Sequence, residues 1–182
     1  MSPRHGVTQI VGAGQPCHSL LEPVEEPSTG SWLHRAEQAL SAGDCAQSAE
    51  LFVTAARCCL AGQDPDEADW HLQRAARALD RGAVSARSLT LRCLVAEQTL
   101  LLSQGWAGSG ERTQARRQAE RARDLGFDVV RAATQMADLA ARVALLLRVA
   151  ELLEGLGDLS DAQALRLQAF GRLEAPLADA RR

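Results

Sequence analysis

Apolar residues recur three and four positions apart from Ser31 onward, as they do on the buried face of a helix. The recurrence predicts seven helices, at 31–42, 44–61, 65–81, 84–104, 109–125, 128–154 and 159–174. Between Val143 and Leu153 the sixth helix is apolar on more than one face, which is typical of a central helix. No segment alternates with period two, so we predict an all-α protein.

Glycines stand at the predicted helix ends. They are Gly43, Gly62, Gly82, Gly105, Gly126, Gly155 and Gly157. A glycine just past a helix can adopt the left-handed conformation that closes the last turn, so these positions predict helix ends. Residues suited to start the next helix are Asp44, Asp64 before Pro65, Asp128, and Ser160 with Gln163. Helices of this length joined by so few residues pack as antiparallel hairpins.

The composition supports the helical prediction and limits the choice of partner. The 20 basic residues are all arginines, and the chain contains no Lys, Asn or Tyr. This bias indicates a GC-rich, bacterial genome, so the arginine excess is weak evidence for nucleic-acid binding. The net charge is −3, which is not the basic footprint that a nucleic-acid-binding domain usually carries. We therefore expect no nucleic-acid partner.

Three segments follow from the distribution of proline and of apolar residues. Residues 1–30 hold four of the six prolines and are predicted to be a flexible leader, or alternatively a short linear motif for a partner. Residues 31–174 form the helical domain, and residues 175–182 a C-terminal tail. The most apolar stretch, 143–153, is too short to span a bilayer and contains Arg148 and Glu151. We expect a cytoplasmic protein with no membrane partner.

Two sets of residues carry the spacing of the tetratricopeptide repeat. The first set is Trp32, Ala36, Ala39, Gly43, Asp44, Phe52 and Ala55; the second is Val149, Ala150, Leu153, Gly157, Asp158, Ala162 and Ala169. The middle of the chain departs from the pattern, since Gly43, Gly82 and Gly126 are 39 and 44 residues apart rather than 34. The chain resembles a degenerate tetratricopeptide-like α-solenoid of stacked antiparallel hairpins. A compact irregular helical bundle is the alternative.

The resemblance implies a non-catalytic role in binding another protein, as an adaptor or as a chaperone that holds one partner. A peptide or helix would lie in the concave face. The positions that the resemblance places in this face are Leu33, Glu37, Leu72, Ala76, Arg116, Glu120, Leu147 and Glu151. One subtype of the family grips a terminal carboxylate with Lys and Asn, and this chain has neither.

The fifth predicted helix carries a stripe of arginines. Arg112, Arg116 and Arg123 share a face about 40° wide, which suits an acidic partner. Glu120 partly neutralises the stripe, and no aromatic residue is interleaved for base stacking. An acidic protein segment is therefore one hypothesis for the partner, and a solvated helix face is the alternative.

The residues assign no catalytic group, metal site or cofactor. His5 and His18 lie in the leader, while His34 and His71 are interpreted as packed or solvated helix residues. The cysteines are Cys17, Cys45, Cys58, Cys59 and Cys93. We interpret them as buried structural thiols; the second hypothesis is a thiol-based redox- or metal-responsive regulator. The adjacent pair, Cys58 and Cys59, could hold an ion only with ligands from elsewhere. The third hypothesis for the function is a small enzyme with an unrecognised site.

Overall fold

A computed structural model describes residues 29–179 of the protein, with side chains described from 30 to 171. The described residues form seven α-helices joined by short turns, and they contain no strand. The helices are α1 (Thr29–Ser41), α2 (Cys45–Ala61), α3 (Pro65–Arg81), α4 (Ala86–Gly108), α5 (Arg112–Ala133), α6 (Leu139–Gly155) and α7 (Leu159–Asp179). The all-α prediction is confirmed. Within the described chain, no helix combines the length and apolar character needed to cross a bilayer.

One three-residue turn is used four times. Its middle residue has a positive φ: +82° at Gly43, +60° at Gln63, +89° at Gly110 and +84° at Gly157. In each case the amide of the third residue donates to a carbonyl five positions back, as Asp44 N does to Ala39 O at 2.9 Å. Gln63 adopts this left-handed geometry at a strain of about 1 kcal/mol, which glycine avoids. The turn ends in Asp or Glu each time.

These turns define a repeat. The turn centres Gln63, Gly110 and Gly157 are each 47 residues apart. The residues five, eight and twelve positions after each centre are buried: Ala68, His71 and Ala75; Ala115, Gln118 and Ala122; Ala162, Leu165 and Ala169. The chain is therefore a helical-repeat protein. The tetratricopeptide type is not confirmed, since this unit is longer than that family's 34 residues.

The helices lie in two rows. Each helix packs against its neighbours in sequence, and α4 also contacts α2 and α6. We call α2, α4 and α6 the even row, and α1, α3, α5 and α7 the odd row. Two apolar cores fill the space between the rows, one around Phe52 and Leu72 and one around Leu146 and Leu153. Because α4 supplies Val95 to the first core and other residues to the second, it joins the two halves of the molecule.

The prediction of a helix end at Gly126 is wrong. Helix α5 continues through Gly126 to Ala133, and α6 begins at Leu139 rather than at 128. A Cβ on Gly126 would lie 3.0 Å from Leu152 Cδ2, so this glycine permits the close approach of α5 and α6. Accordingly Asp128 caps no helix in the described chain, and Asp138 caps α6 by accepting from Ala141 N at 3.0 Å.

Other boundaries also differ from the predictions. Helix α4 continues past Gly105 to Gly108, and Ser160 lies inside the first turn of α7 instead of capping it. The caps at Asp44 and Asp64 are confirmed, since each carboxylate accepts the amide three residues ahead. Helix α1 begins at Thr29, and α7 extends to Asp179, into the predicted tail. Most of the predicted leader, residues 1–28, and the last three residues lie outside the described residues.

Candidate functional site

The odd-row face carries two adjoining clefts, one on each side of α3. The first, of about 300 Å³, is lined by Leu40, Phe52, Trp70, Arg74, Arg77, Ala78 and Arg81. The second, also of about 300 Å³, is lined by Asp69, Gln73, Ala76, Arg77, Arg117, Gln118 and Arg121. Arg77 lines both clefts, so they form one surface, which we call the arginine groove. Helices α1, α3 and α5 contribute its rims, because their side chains face one another along the odd row.

Two arginines of the groove are held in place by ion pairs between helices. Arg74 on α3 donates to Glu37 on α1 at 3.1 Å, and Arg121 on α5 donates to Asp69 on α3 at 2.8 Å. Arg74 and Arg121 are 47 residues apart, so they hold equivalent positions in the repeat and each reaches back to the preceding odd-row helix. Burial lowers the pKa of Arg121 and its pairing with Asp69 raises it.

Three further arginines of the groove are exposed. Arg77, Arg81 and Arg117 make no ion pair within the part of the chain that the structure describes. Trp70 lines the first cleft with Arg77 and Arg81 and has 42% of its surface exposed. The Arg74 guanidinium lies over the ring of Trp70, 4.7 Å from its centroid, and over Phe52 at 5.0 Å. An exposed tryptophan beside unpaired arginines is a composition enriched at the centre of protein interfaces.

The predicted arginine stripe on α5 is largely neutralised. Arg116 pairs with Glu120 one turn away at 2.9 Å. Arg123 donates two hydrogen bonds to Asp158, at 2.6 and 2.5 Å, and so ties α5 to the turn before α7. These bonds raise the pKa of Arg123. Arg116, Glu120 and Arg123 do line a common cleft, whereas Arg112 lies exposed outside it.

The other predicted groove residues are divided among the core, the odd row and the even row. Leu33 is half-buried against the first core, Glu37 is exposed and paired, and Ala76 lines the arginine groove. Leu72 is 0% exposed, which corrects its placement on a docking surface.

The resemblance also places Leu147 and Glu151 in the concave face, together with residues of α1, α3 and α5. They lie on α6, in the even row, so they do not share the face. The repeat explains the error: α7, and not α6, is equivalent to α3 and α5.

A second cluster lies at the end of the α2–α3 hairpin. Cys59 comes from the last turns of α2, and Glu67 and His71 stand one turn apart on α3. Their potential ligand atoms all lie within 4.8 Å of one another, and His71 Nε2 is 3.8 Å from Glu67 Oε1. The sequence signal for this cluster is a Cys and a His twelve residues apart across a tight turn. This spacing indicates a cluster only when the register of the α2–α3 hairpin is known, because the register decides whether the two side chains meet.

His71 is buried, and its ring nitrogens make no hydrogen bond within the described residues. It is 0% exposed, and neither ring nitrogen has a hydrogen-bond partner in the described chain. The ring packs edge-on against Trp70, with centroids 4.9 Å apart, as the prediction of a packed histidine requires. Burial lowers the pKa of His71, Glu67 raises it, and Arg74 lowers it, with a net decrease. His34, in contrast, is exposed and bonds to Gln38.

The other thiols differ in access to solvent. Cys93 is buried, which raises its pKa to about 12; Arg148 acts against this shift and Glu97 adds to it. Cys58 is exposed and Cys45 is half-buried, so the prediction of buried thiols holds for Cys59 and Cys93 but not for Cys58. Cys17 lies outside the described residues, as do His5 and His18.

No protein-family model and no curated protein matches the chain. Among solved structures, the chain is similar to a "DHF58 filament", with 26% identity and a TM-score of 0.54 over 84% of this chain and 80% of that one. It is also similar to the "de novo designed helical repeat protein DHR64", with 24% identity and a TM-score of 0.52 over 85% of this chain and 81% of that one. Both likenesses support the helical-repeat fold.

Proposed function

We propose that the protein is a non-catalytic interaction module that binds an acidic segment of another protein, as an extended peptide or a helix, along the arginine groove. The observation that carries this proposal is the groove itself: two clefts that share Arg77 and hold three exposed arginines, two of them in the cleft that Trp70 lines. Helical repeats commonly present such elongated binding surfaces. The adaptor or chaperone role, the tetratricopeptide type and the cytoplasmic location belong to the same proposal.

Charge complementarity decides the chemistry of the partner. Guanidinium groups bind carboxylates through paired hydrogen bonds, and Arg77, Arg81 and Arg117 have that capacity unused within the described chain. Arg74 and Arg121 are already fixed by Glu37 and Asp69, so their aliphatic stems form a preorganised wall. An acidic segment with an apolar residue for Trp70 fits this surface better than a neutral one.

A labelled Glu-rich helical peptide containing leucine provides the test, with the same peptide carrying Lys for Glu as the control ligand. Fluorescence anisotropy should show binding of the acidic peptide that weakens as salt is added. The triple variant Arg77→Glu, Arg81→Glu, Arg117→Glu should lower the affinity at least about tenfold.

The charge-matched control is Arg57→Glu, Arg87→Glu, Arg131→Glu, which changes three exposed arginines outside the groove and alters the net charge equally. Arg87 and Arg131 lose only exposed surface pairs, with Glu50 and Asp128, and such pairs contribute little to stability. It should bind the peptide nearly as the unmodified chain does. Equal loss in both variants would mean that only overall charge matters, and no loss in the groove variant would contradict the proposal. Arg123 is avoided because its two hydrogen bonds to Asp158 tie α5 to the turn before α7.

A thiol-based regulator is the second candidate function. The observation that favours it is the meeting of Cys59, Glu67 and His71 at one hairpin end. Cys93 contributes nothing to such a role, since a thiol with a pKa of about 12 is protonated and unreactive at neutral pH. The metal-responsive form of this candidate is therefore better supported than one that depends on Cys93 oxidation.

A further inference from the structure

We propose that Cys59, Glu67 and His71 bind a borderline divalent cation, represented by Zn²⁺. The three side chains offer sulfur, carboxylate oxygen and imidazole nitrogen, which together form a donor set that Zn²⁺ uses. The thiolate sulfur disfavours Mg²⁺ and Ca²⁺, which prefer oxygen ligands. Three protein ligands leave the fourth tetrahedral position to water or to a side chain of a partner.

The distances require only small movements. In a tetrahedral zinc site, ligand atoms lie about 3.3 to 3.6 Å apart, given metal–ligand bonds of about 2.0 to 2.3 Å. Here the three ligand atoms lie within 4.8 Å of one another, and His71 Nε2 and Glu67 Oε1 are already 3.8 Å apart. Half of the Glu67 side chain is exposed, so it is free to rotate toward the other two.

Burial of an unsatisfied imidazole supports the proposal independently of these distances. His71 has no hydrogen-bond partner in the described chain, and leaving a buried polar group unpaired costs about 1 to 3 kcal/mol. Coordination would give one ring nitrogen a partner.

The repeat shows that the fold itself does not require these residues. Leu153 and Leu165 are the equivalents of Cys59 and His71 in the last hairpin, and both are buried. The same turn therefore closes over two leucines at the other end of the molecule. In the α2–α3 hairpin these two positions hold a thiol and an imidazole instead. Binding of one metal ion by both groups would explain why.

The local charges are compatible with a cation. A Cys59 thiolate and the Glu67 carboxylate together neutralise a divalent ion, so the site would carry little net charge. Among the residues that the structure describes, Arg74 is the neighbouring cation that acts on His71, and its guanidinium is paired with Glu37 at 3.1 Å. That pairing reduces its repulsion of a bound metal.

Co²⁺ titration of the full chain under reducing conditions provides the test. Co²⁺ replaces Zn²⁺ in such sites and gives a near-ultraviolet band only when a thiolate is bound. We expect one equivalent of metal and a thiolate band that Zn²⁺ removes by competition. The band should be absent from Cys59→Ser, and His71→Leu should weaken binding at least about tenfold. Cys58→Ser is the matched control, since it alters the adjacent exposed thiol, and it should bind normally.

Several results would overturn the proposal. They are a band that survives in Cys59→Ser, a band that disappears in Cys58→Ser, or one that disappears in a Cys17→Ser, His18→Ala variant. If Cys59→Ser fails to fold, alkylation of the unmodified chain with and without Zn²⁺ decides. Because Cys59 is buried, the comparison is between its own labelling rates in the two conditions: Zn²⁺ should slow the labelling of Cys59 and leave that of Cys58 unchanged, as read by mass spectrometry. The variant Arg77→Glu, Arg81→Glu, Arg117→Glu should still bind Co²⁺, so failure of the arginine groove would not be confused with failure of this site.

Discussion

The α2–α3 hairpin and the α6–α7 hairpin close with the same type of three-residue turn but bury different side chains. In the α2–α3 hairpin, Cys59 and His71 occupy the two positions where the α6–α7 hairpin has Leu153 and Leu165. Gln118 is the last buried polar residue of the described chain. The comparison teaches that the hairpin is stable with an apolar interior. Cys59 and His71 are therefore not needed to close this turn.

The largest loss of stability is expected when a charge is placed in the apolar core of the α6–α7 hairpin. Leu146 on α6 is 0% exposed, and Leu146→Asp should lower the free energy of unfolding by about 4 kcal/mol or more, because a buried carboxylate would have no partner. Leu167→Asp on α7 is the control, since Leu167 is 66% exposed. Urea denaturation followed by circular dichroism measures both. Similar stability of the two variants would contradict the assignment of Leu146 to the core.

A smaller effect is expected at the contact between α5 and α6. Gly126→Leu should destabilise the protein by about 1 to 3 kcal/mol, since even a Cβ would lie 3.0 Å from Leu152 and 3.2 Å from Val149. Gly105→Ala should instead stabilise it by up to about 1 kcal/mol, because that helical glycine has open space around it. Thermal unfolding of the two variants tests the difference; a stabilised Gly126→Leu protein would mean that α6 moves away easily.

The smallest effect concerns the buried imidazole and depends on pH. His71 has a folded pKa below its usual 6.5, so below about pH 6.5 the unfolded chain takes up a proton that the folded chain does not. Stability should therefore fall as the pH is lowered from 7 to 5. His71→Leu should be less sensitive to acid and, at pH 7 with EDTA present, about 1 kcal/mol more stable.

Gln118→Leu serves as the control for that experiment. It removes the polar residue at the equivalent position of the next hairpin, where no proton is taken up, so it should keep the acid sensitivity of the unmodified chain. Glu67 and Arg74 are the charged groups that act on His71 and are unchanged in both variants. The same loss of stability on acidification in His71→Leu as in the unmodified chain would assign the pH dependence to other groups.

Features set by local chemistry could be predicted from the sequence. The all-α class, the caps at Asp44 and Asp64, and the turns at Gly43 and Gly157 depend on a few consecutive residues. The role of Gly126 depends on Leu152, which approaches from another helix, so its sequence context resembled a helix end.

The candidate sites could be predicted from the sequence less well, because they too depend on contacts between residues far apart in the chain. Periodicity places Arg116 and Arg123 on one face, but it cannot show that Arg123 forms an ion pair with Asp158. The groove residues Arg77 and Arg117 come from different helices and become neighbours only when α3 packs beside α5. Cys59 and His71 meet for an equally non-local reason, since their approach depends on the hairpin register.

The recurrence of one three-residue turn has a consequence for how such a chain can grow. Because Gln63, Gly110 and Gly157 close equivalent turns at equal intervals, a copy of residues 64–110 inserted after Gly110 would begin and end in compatible geometry. The array could thus lengthen by duplication of a whole unit without a new junction. Copies made in this way are free to diverge afterwards, one acquiring an imidazole and another an amide at the same buried position.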